Sequence, residues 1–187
     1  MRFGNRWAVV GGAALLLACT AAQARDFAVG GSGQCLTSLS GFNSNLGAVT
    51  GSVVWVTMFS LNAVWTFNGD GTGTATGRSV GVASPQANGT GLGGAGSSDL
   101  SSVFTWTLAA GVMTVNFSSV TGEQLTGGRA GQTFTITNLP TMTGRMSGDG
   151  RSITLATDTP AVETISFSNG DVQPRICTRH RILLRLN

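Results

Sequence analysis

The chain contains no tyrosine and no lysine, a single histidine, four prolines, and only 10% charged residues over 187 positions. Each shortage excludes something. One histidine, His180, with no H-x-x-x-H or C-x-x-C spacing anywhere, leaves no zinc constellation, so it reads as a rim residue on a strand. No G-x-S-x-G elbow is present, and Gly30-Gly31-Ser32-Gly33 reads as a flexible leader. Asp70, Asp149 and Asp171 all fall in turn sequences, where aspartate serves backbone geometry, so no acid–base pair emerges. The chain is therefore expected not to be an enzyme, with no catalytic residue, no metal and no cofactor assigned. Apolar runs long enough for a membrane helix, about 20 residues, are also missing. The lack of tyrosine and the shortness of the alternating runs speak against an outer-membrane barrel with aromatic girdles.

What is present starts with a leader. In MRFGNRWAVVGGAALLLACTAAQARDF, Arg2 and Arg6 precede an apolar stretch from Trp7 to Ala18, and Ala22-Gln23-Ala24 forms an A-x-A cleavage site. Residues 1–24 read as a secretory signal, which predicts a periplasmic or extracellular protein with no integral membrane segment once it is removed. Leu16-Leu17-Ala18-Cys19 also fits a lipobox, in which a lipidated Cys19 would anchor the chain to the outer membrane. Both readings leave Cys35 and Cys177 as an even pair in an oxidising compartment, so a disulfide between them is expected.

Net charge is easily misread. The formal +3 and pI near 9.3 include Arg2 and Arg6; without them nine arginines face eight acids. Four of the nine (Arg175, Arg179, Arg181 and Arg185) crowd into the last sixteen residues, which hold no acid. The rest of the chain is thus acidic, and nucleic acid is not an expected partner. A terminal strand whose arginines meet carboxylates of neighbouring strands, or water, is the simpler expectation.

Hydrophobicity alternates with period two and almost nowhere with period 3.6. Trp65 and Phe67, then Phe104, Trp106 and Leu108, then Met113, Val115 and Phe117 alternate with threonine, asparagine and valine. Phe134 and Ile136, Ile153 and Leu155, and Ile165 and Phe167 continue the pattern. Between them stand NGDG at 68–71, AAG at 109–111, SGDG at 147–150 and SNGD at 168–171, whose residues accept the positive φ of tight hairpins. NGDG is a turn rather than a calcium loop, because the twelfth position counted from Asn68 is Ser79 and offers no carboxylate. The expectation is an all-β antiparallel up-and-down meander of about eight to ten short strands, mostly five to seven residues. Closure into a barrel protects its edges, with a β-sandwich as the alternative. Residues 25–48 are read as a leader with a short helix over Cys35 to Phe42, where Leu36, Leu39 and Phe42 recur by threes. Residues 49–187 form the single domain, with longer connections near 83–102 and 120–131.

The segments WTFNGDGTGTATGR, FTWTLAAGVMTV, MSGDGRSITLAT and RICTRHRILLR together resemble the small bacterial lipocalin-like proteins of the calycin group, over about residues 50–186. That resemblance implies an eight-stranded barrel holding a small apolar ligand in its mouth. Trp65, Phe67, Phe104, Trp106 and Phe117 are the candidates to line such a cavity; together with Trp55 they otherwise fill the core. The alternative is a structural or surface-interaction protein, adhesin-like or pilus-subunit-like, with a filled interior and no ligand.

Overall fold

Alternation on this scale yields a sheet closed on itself. The structure, a computed structural model, describes residues 24–43, 47–87 and 94–186. The leader, including Cys19, lies outside the described residues. Ten antiparallel strands follow one another: β1 (Arg25–Asn43), β2 (Gly47–Phe67), β3 (Thr72–Ala87), β4 (Gly94–Ala109), β5 (Val112–Gln124), β6 (Thr133–Thr137), β7 (Met142–Met146), β8 (Ser152–Thr157), β9 (Ala161–Phe167) and β10 (Val172–Arg185). Among the described residues there is no helix, and so none long and apolar enough to cross a membrane.

Three expectations need correction. Residues 25–43 are strand β1, not a leader, and the stretch from Cys35 to Phe42 is extended. Its apolar spacing by threes is overridden by pairing with β2 along its length and with β10 as far as Thr37. Strand length was the second error: β1 to β5 run 13 to 21 residues and β10 runs 14, while only β6 to β9 are five to seven long. The third follows from it, because much of the Gly/Ser/Ala segment at 83–102 belongs to β3 and β4 rather than to a connection. Glycine and alanine are poor strand formers by themselves, and here pairing with the flanking strands holds them extended; they give no hydrophobic alternation to read.

The order β1-β2-β3-β4-β5-β6-β9-β10 closes through β1–β10 pairing into a ring of eight strands. β7 and β8 complete the other half of the same wall, since β5 pairs with β6 through Val120 to Glu123 but with β7 through Val112 to Val115. β10 divides likewise between β9 and β8. Each strand of the ring thus has a neighbour on both sides, which limits edge-to-edge association; among the described residues, β1 beyond Thr37 and β2 before Val54 pair only with each other. A row of paired residues leaving β10 at Leu184 passes Ala28, Val64, Thr76, Ser101, Thr121, Thr135 and Ser166 and re-enters β10 at Val172, a stagger of twelve residues (184 − 172). With strands about 4.8 Å apart and a rise of about 3.3 Å per residue, that stagger tilts the strands by roughly 45° and widens the interior.

The hairpin turns fall where their sequences place them. At Ala110-Gly111 both residues take positive φ, 50° and 77°, the requirement of a two-residue type I′ connection. In the β2–β3 turn, the Asp70 carboxylate accepts from the Thr72 backbone N–H at 2.9 Å and from its hydroxyl at 2.6 Å. Those two bonds hold the Asp70 carboxyl below its ordinary range. The Trp106 indole N–H closes over the same turn, reaching the carbonyls of Asn68 and Thr72.

This lower end of the ring is solid. Phe27, Val29, Trp65, Phe67, Phe104, Met113, Val115, Ile153, Leu155 and Leu183 form one buried cluster. Its rings meet edge to face or tilted, with centroids 5.1 Å apart for Phe67–Phe104 and 5.3 Å for Phe27–Phe67, a favourable geometry for aromatic quadrupoles. A second, smaller cluster of Phe134, Ile136, Ile165 and Phe167 sits beside β6 and β9. Cys35 and Cys177 are directly opposed on β1 and β10 and joined by a disulfide. That bond is compatible with an oxidising compartment.

Candidate functional site

Above the solid end, the inner face of the sheet changes character. On β3 the inward positions described are Ala75, Gly77, Ser79, Gly81 and Ala83, so from Ala75 to Ala83 no side chain longer than serine enters the ring. β4 adds Gly96 and Ser98. The space they leave unfilled is a cavity of about 580 Å³. Its apolar lining includes Trp55, Phe59, Leu61, Trp65, Phe117 and Phe134.

Across the cavity, β10 presents Gln173, Arg175, Arg179 and Arg181 at alternate positions, with the disulfide at Cys177 among them. The adjoining strand β9 supplies one carboxylate. Glu163 is wholly buried and is shared: Arg175 donates to Oε1 at 2.6 Å and Arg179 to Oε2 at 2.5 Å. Sharing spends both oxygens on two guanidiniums, and the Arg179 Nη1 is left buried with no hydrogen-bond partner among the described residues.

Arg181 is more isolated. Only 5% exposed, it donates from Nη1 to the carbonyls of Ser32 and His180 at 2.9 and 2.7 Å. It forms no ion pair among the described residues. Burial, with the neighbouring Arg179 charge adding to it, pulls its pKa down to about 9, which still leaves it cationic at neutral pH. The wall thus holds three guanidinium charges against one carboxylate.

Room for these long side chains comes from β1. A Cβ on Gly31 would sit 2.5 Å from the Arg181 side chain, and one on Gly33 would sit 2.5 Å from the Phe59 ring. The Gly-rich stretch is therefore a smooth floor over which Arg181 and Phe59 lie, with both Arg179 and Arg181 within 6 Å of the Phe59 ring, at 5.9 and 5.7 Å.

Of the five expected lining residues, Trp65 and Phe117 reach the cavity. Phe67, Phe104 and Trp106 lie beneath it in or against the solid cluster. All five pack together, since Trp65 meets Phe104 and Phe117 and Phe67 meets Trp106 at centroid separations of 5.2 to 5.6 Å. They make the cavity floor rather than its walls. Sequence reasoning missed Phe59 and the inward arginines. The signal was there: small residues at every second position of β3, and arginines at odd positions of β10. His180 is exposed and faces outward. Cys35, Cys177 and Glu163 bring three ligand-type atoms within 4.8 Å, but the sulfurs are bonded to each other and offer no thiolate to a metal. Comparison of the chain with protein-family models, curated proteins and solved structures finds no match.

Proposed function

We propose that this is an exported, non-enzymatic binding protein that takes a small, largely apolar molecule into the open half of the ring. The observation that carries the reading is the cavity itself. Its 580 Å³ falls within the range of small-molecule sites, and its lining combines aromatic and aliphatic walls with a few convergent polar groups. Binding rather than catalysis is favoured because Glu163, the one buried carboxylate among the described residues, is committed to two arginines. Export follows from the leader, and the lipocalin-like resemblance leads to the same kind of site.

The test is native mass spectrometry of the chain produced in an oxidising compartment, before and after denaturing extraction. A small molecule that copurifies and is released on unfolding is the expected result. A clean ligand-free mass, with tryptophan fluorescence unchanged across fatty acids, fatty alcohols and small aromatics, overturns the reading and leaves a structural or surface-interaction domain.

A further inference from the structure

The β10 wall presents a charge imbalance that neither the fold nor the disulfide explains. Arg181 donates to two backbone carbonyls and lies near the Phe59 ring, but none of these partners is an anion, and burying its charge without a carboxylate is costly. Arg179 keeps an unpartnered Nη1 although Glu163 lies beside it. Both side chains border the same cavity. Cations retained in an apolar enclosure with too few anions to match them define half of an ion pair, and the guanidinium fork is shaped for a planar or tetrahedral oxyanion.

We propose that the ligand of this cavity is an amphiphile with an oxyanion head group, carboxylate or phosphate, seated against Arg179 and Arg181 with its apolar part among Trp55, Phe59, Leu61 and Phe134. The inference rests on the carrier reading above and specifies its ligand class. The apolar lining excludes a free inorganic anion as the natural occupant, and the arginines exclude a neutral lipid as the preferred one. Arg175 is satisfied by Glu163 and is the most exposed of the three, at 17% of its side chain, so it is the least engaged with a ligand.

The experiment follows tryptophan fluorescence, because Trp55 and Trp65 border the cavity. The full chain is titrated below micellar concentrations with dodecanoate, dodecyl phosphate and dodecan-1-ol, which share one tail and differ in head. At least one anion is expected to bind tenfold or more tighter than the alcohol; whichever does identifies the head as carboxylate or phosphate. Arg181→Met is expected to erase that preference while leaving alcohol binding within about twofold, and Arg181→Lys, which keeps the charge, to retain most of it. Glu163→Gln removes the competing carboxylate and is expected to tighten the anion several-fold without affecting the alcohol. Alcohol and anions binding equally tightly, with Arg181→Met making no difference, overturns the anionic head but leaves the carrier reading standing. Failure of all three probes overturns both.

Discussion

The two halves of the ring are built on the same long strands, yet one is solid and the other hollow. Along β2 the inward residues are large in both halves, Trp55 and Phe59 above and Trp65 and Phe67 below. The difference lies opposite them. Below, Phe104, Met113, Val115, Ile153 and Leu155 come from β4, β5 and β8 to meet those rings. Above, β3 answers with alanine, glycine and serine, and β4 with Gly96 and Ser98 beside a single larger residue, Leu100. Closure of a sheet therefore does not by itself make a binding protein; the size of side chain at every second position decides where the interior is core and where it is space.

The comparison can be broken from either side. Phe104→Ala in the solid half removes a ring packed against Trp65, Phe67 and Phe117 and is expected to cost about 3–5 kcal/mol in a urea melt. Phe59→Ala on the cavity wall, where one side of the ring already faces space, is expected to cost only about 1–2 kcal/mol while weakening ligand binding. Equal costs at the two sites would mean the halves are packed alike. Next in size is Ser79→Leu, which pushes a large side chain into the hollow half. Stability should stay within about 1 kcal/mol of the parent, or rise, and binding of any tail-bearing probe should fall tenfold or more.

The smallest effect concerns the turns that close the solid end. Asp70 and Asp149 are held below the ordinary carboxyl value of 3.8, Asp70 first by the Thr72 hydroxyl and Asp149 first by the Ser147 hydroxyl. Because their folded values lie lower, the unfolded chain takes up protons first as pH falls. Their contribution is complete above the unfolded value and is lost as pH drops through the depressed folded values. Melting temperatures measured from pH 6 to 3 should therefore decline at the acid end, and Asp70→Asn should flatten that decline slightly. An identical acid profile in the variant would remove the turn carboxylate from the account.

Much of the architecture was legible beforehand. Asn-Gly, Asp-Gly and Ala-Gly turn chemistry and the aromatic alternation through Trp65, Phe104 and Phe117 located the hairpins and the floor, and the even pair Cys35 and Cys177 anticipated the disulfide, though not that Cys35 stands on a strand. The cavity was not legible from apolar alternation, for a physical reason. Pattern reading detects large apolar residues, and a cavity is made where they are missing. β1 was misjudged for the same reason, since Gly31 and Gly33 look like slack but provide clearance for Arg181 and Phe59. The arginines of β10 were expected to meet carboxylates of neighbouring strands or water, and Arg175 and Arg179 do meet Glu163 of β9; that they face inward has no mark in the pattern, because charge normally goes outside.

That last inversion gives the disulfide a meaning beyond tethering the termini. Judged by hydropathy, β10 faces the wrong way: Ile176, Ile182 and Leu184 are exposed while Arg179 and Arg181 are buried. A slip of one residue against β1 would exchange the two faces and, by simple oil-and-water criteria, produce the more comfortable ring. Only in the observed register does Cys177 stand opposite Cys35. In the slipped register Cys177 would point outward, away from an inward Cys35, and the bond would not form. The Cys35–Cys177 bond is therefore compatible with the register in which the arginines face inward and not with a register slipped by one residue.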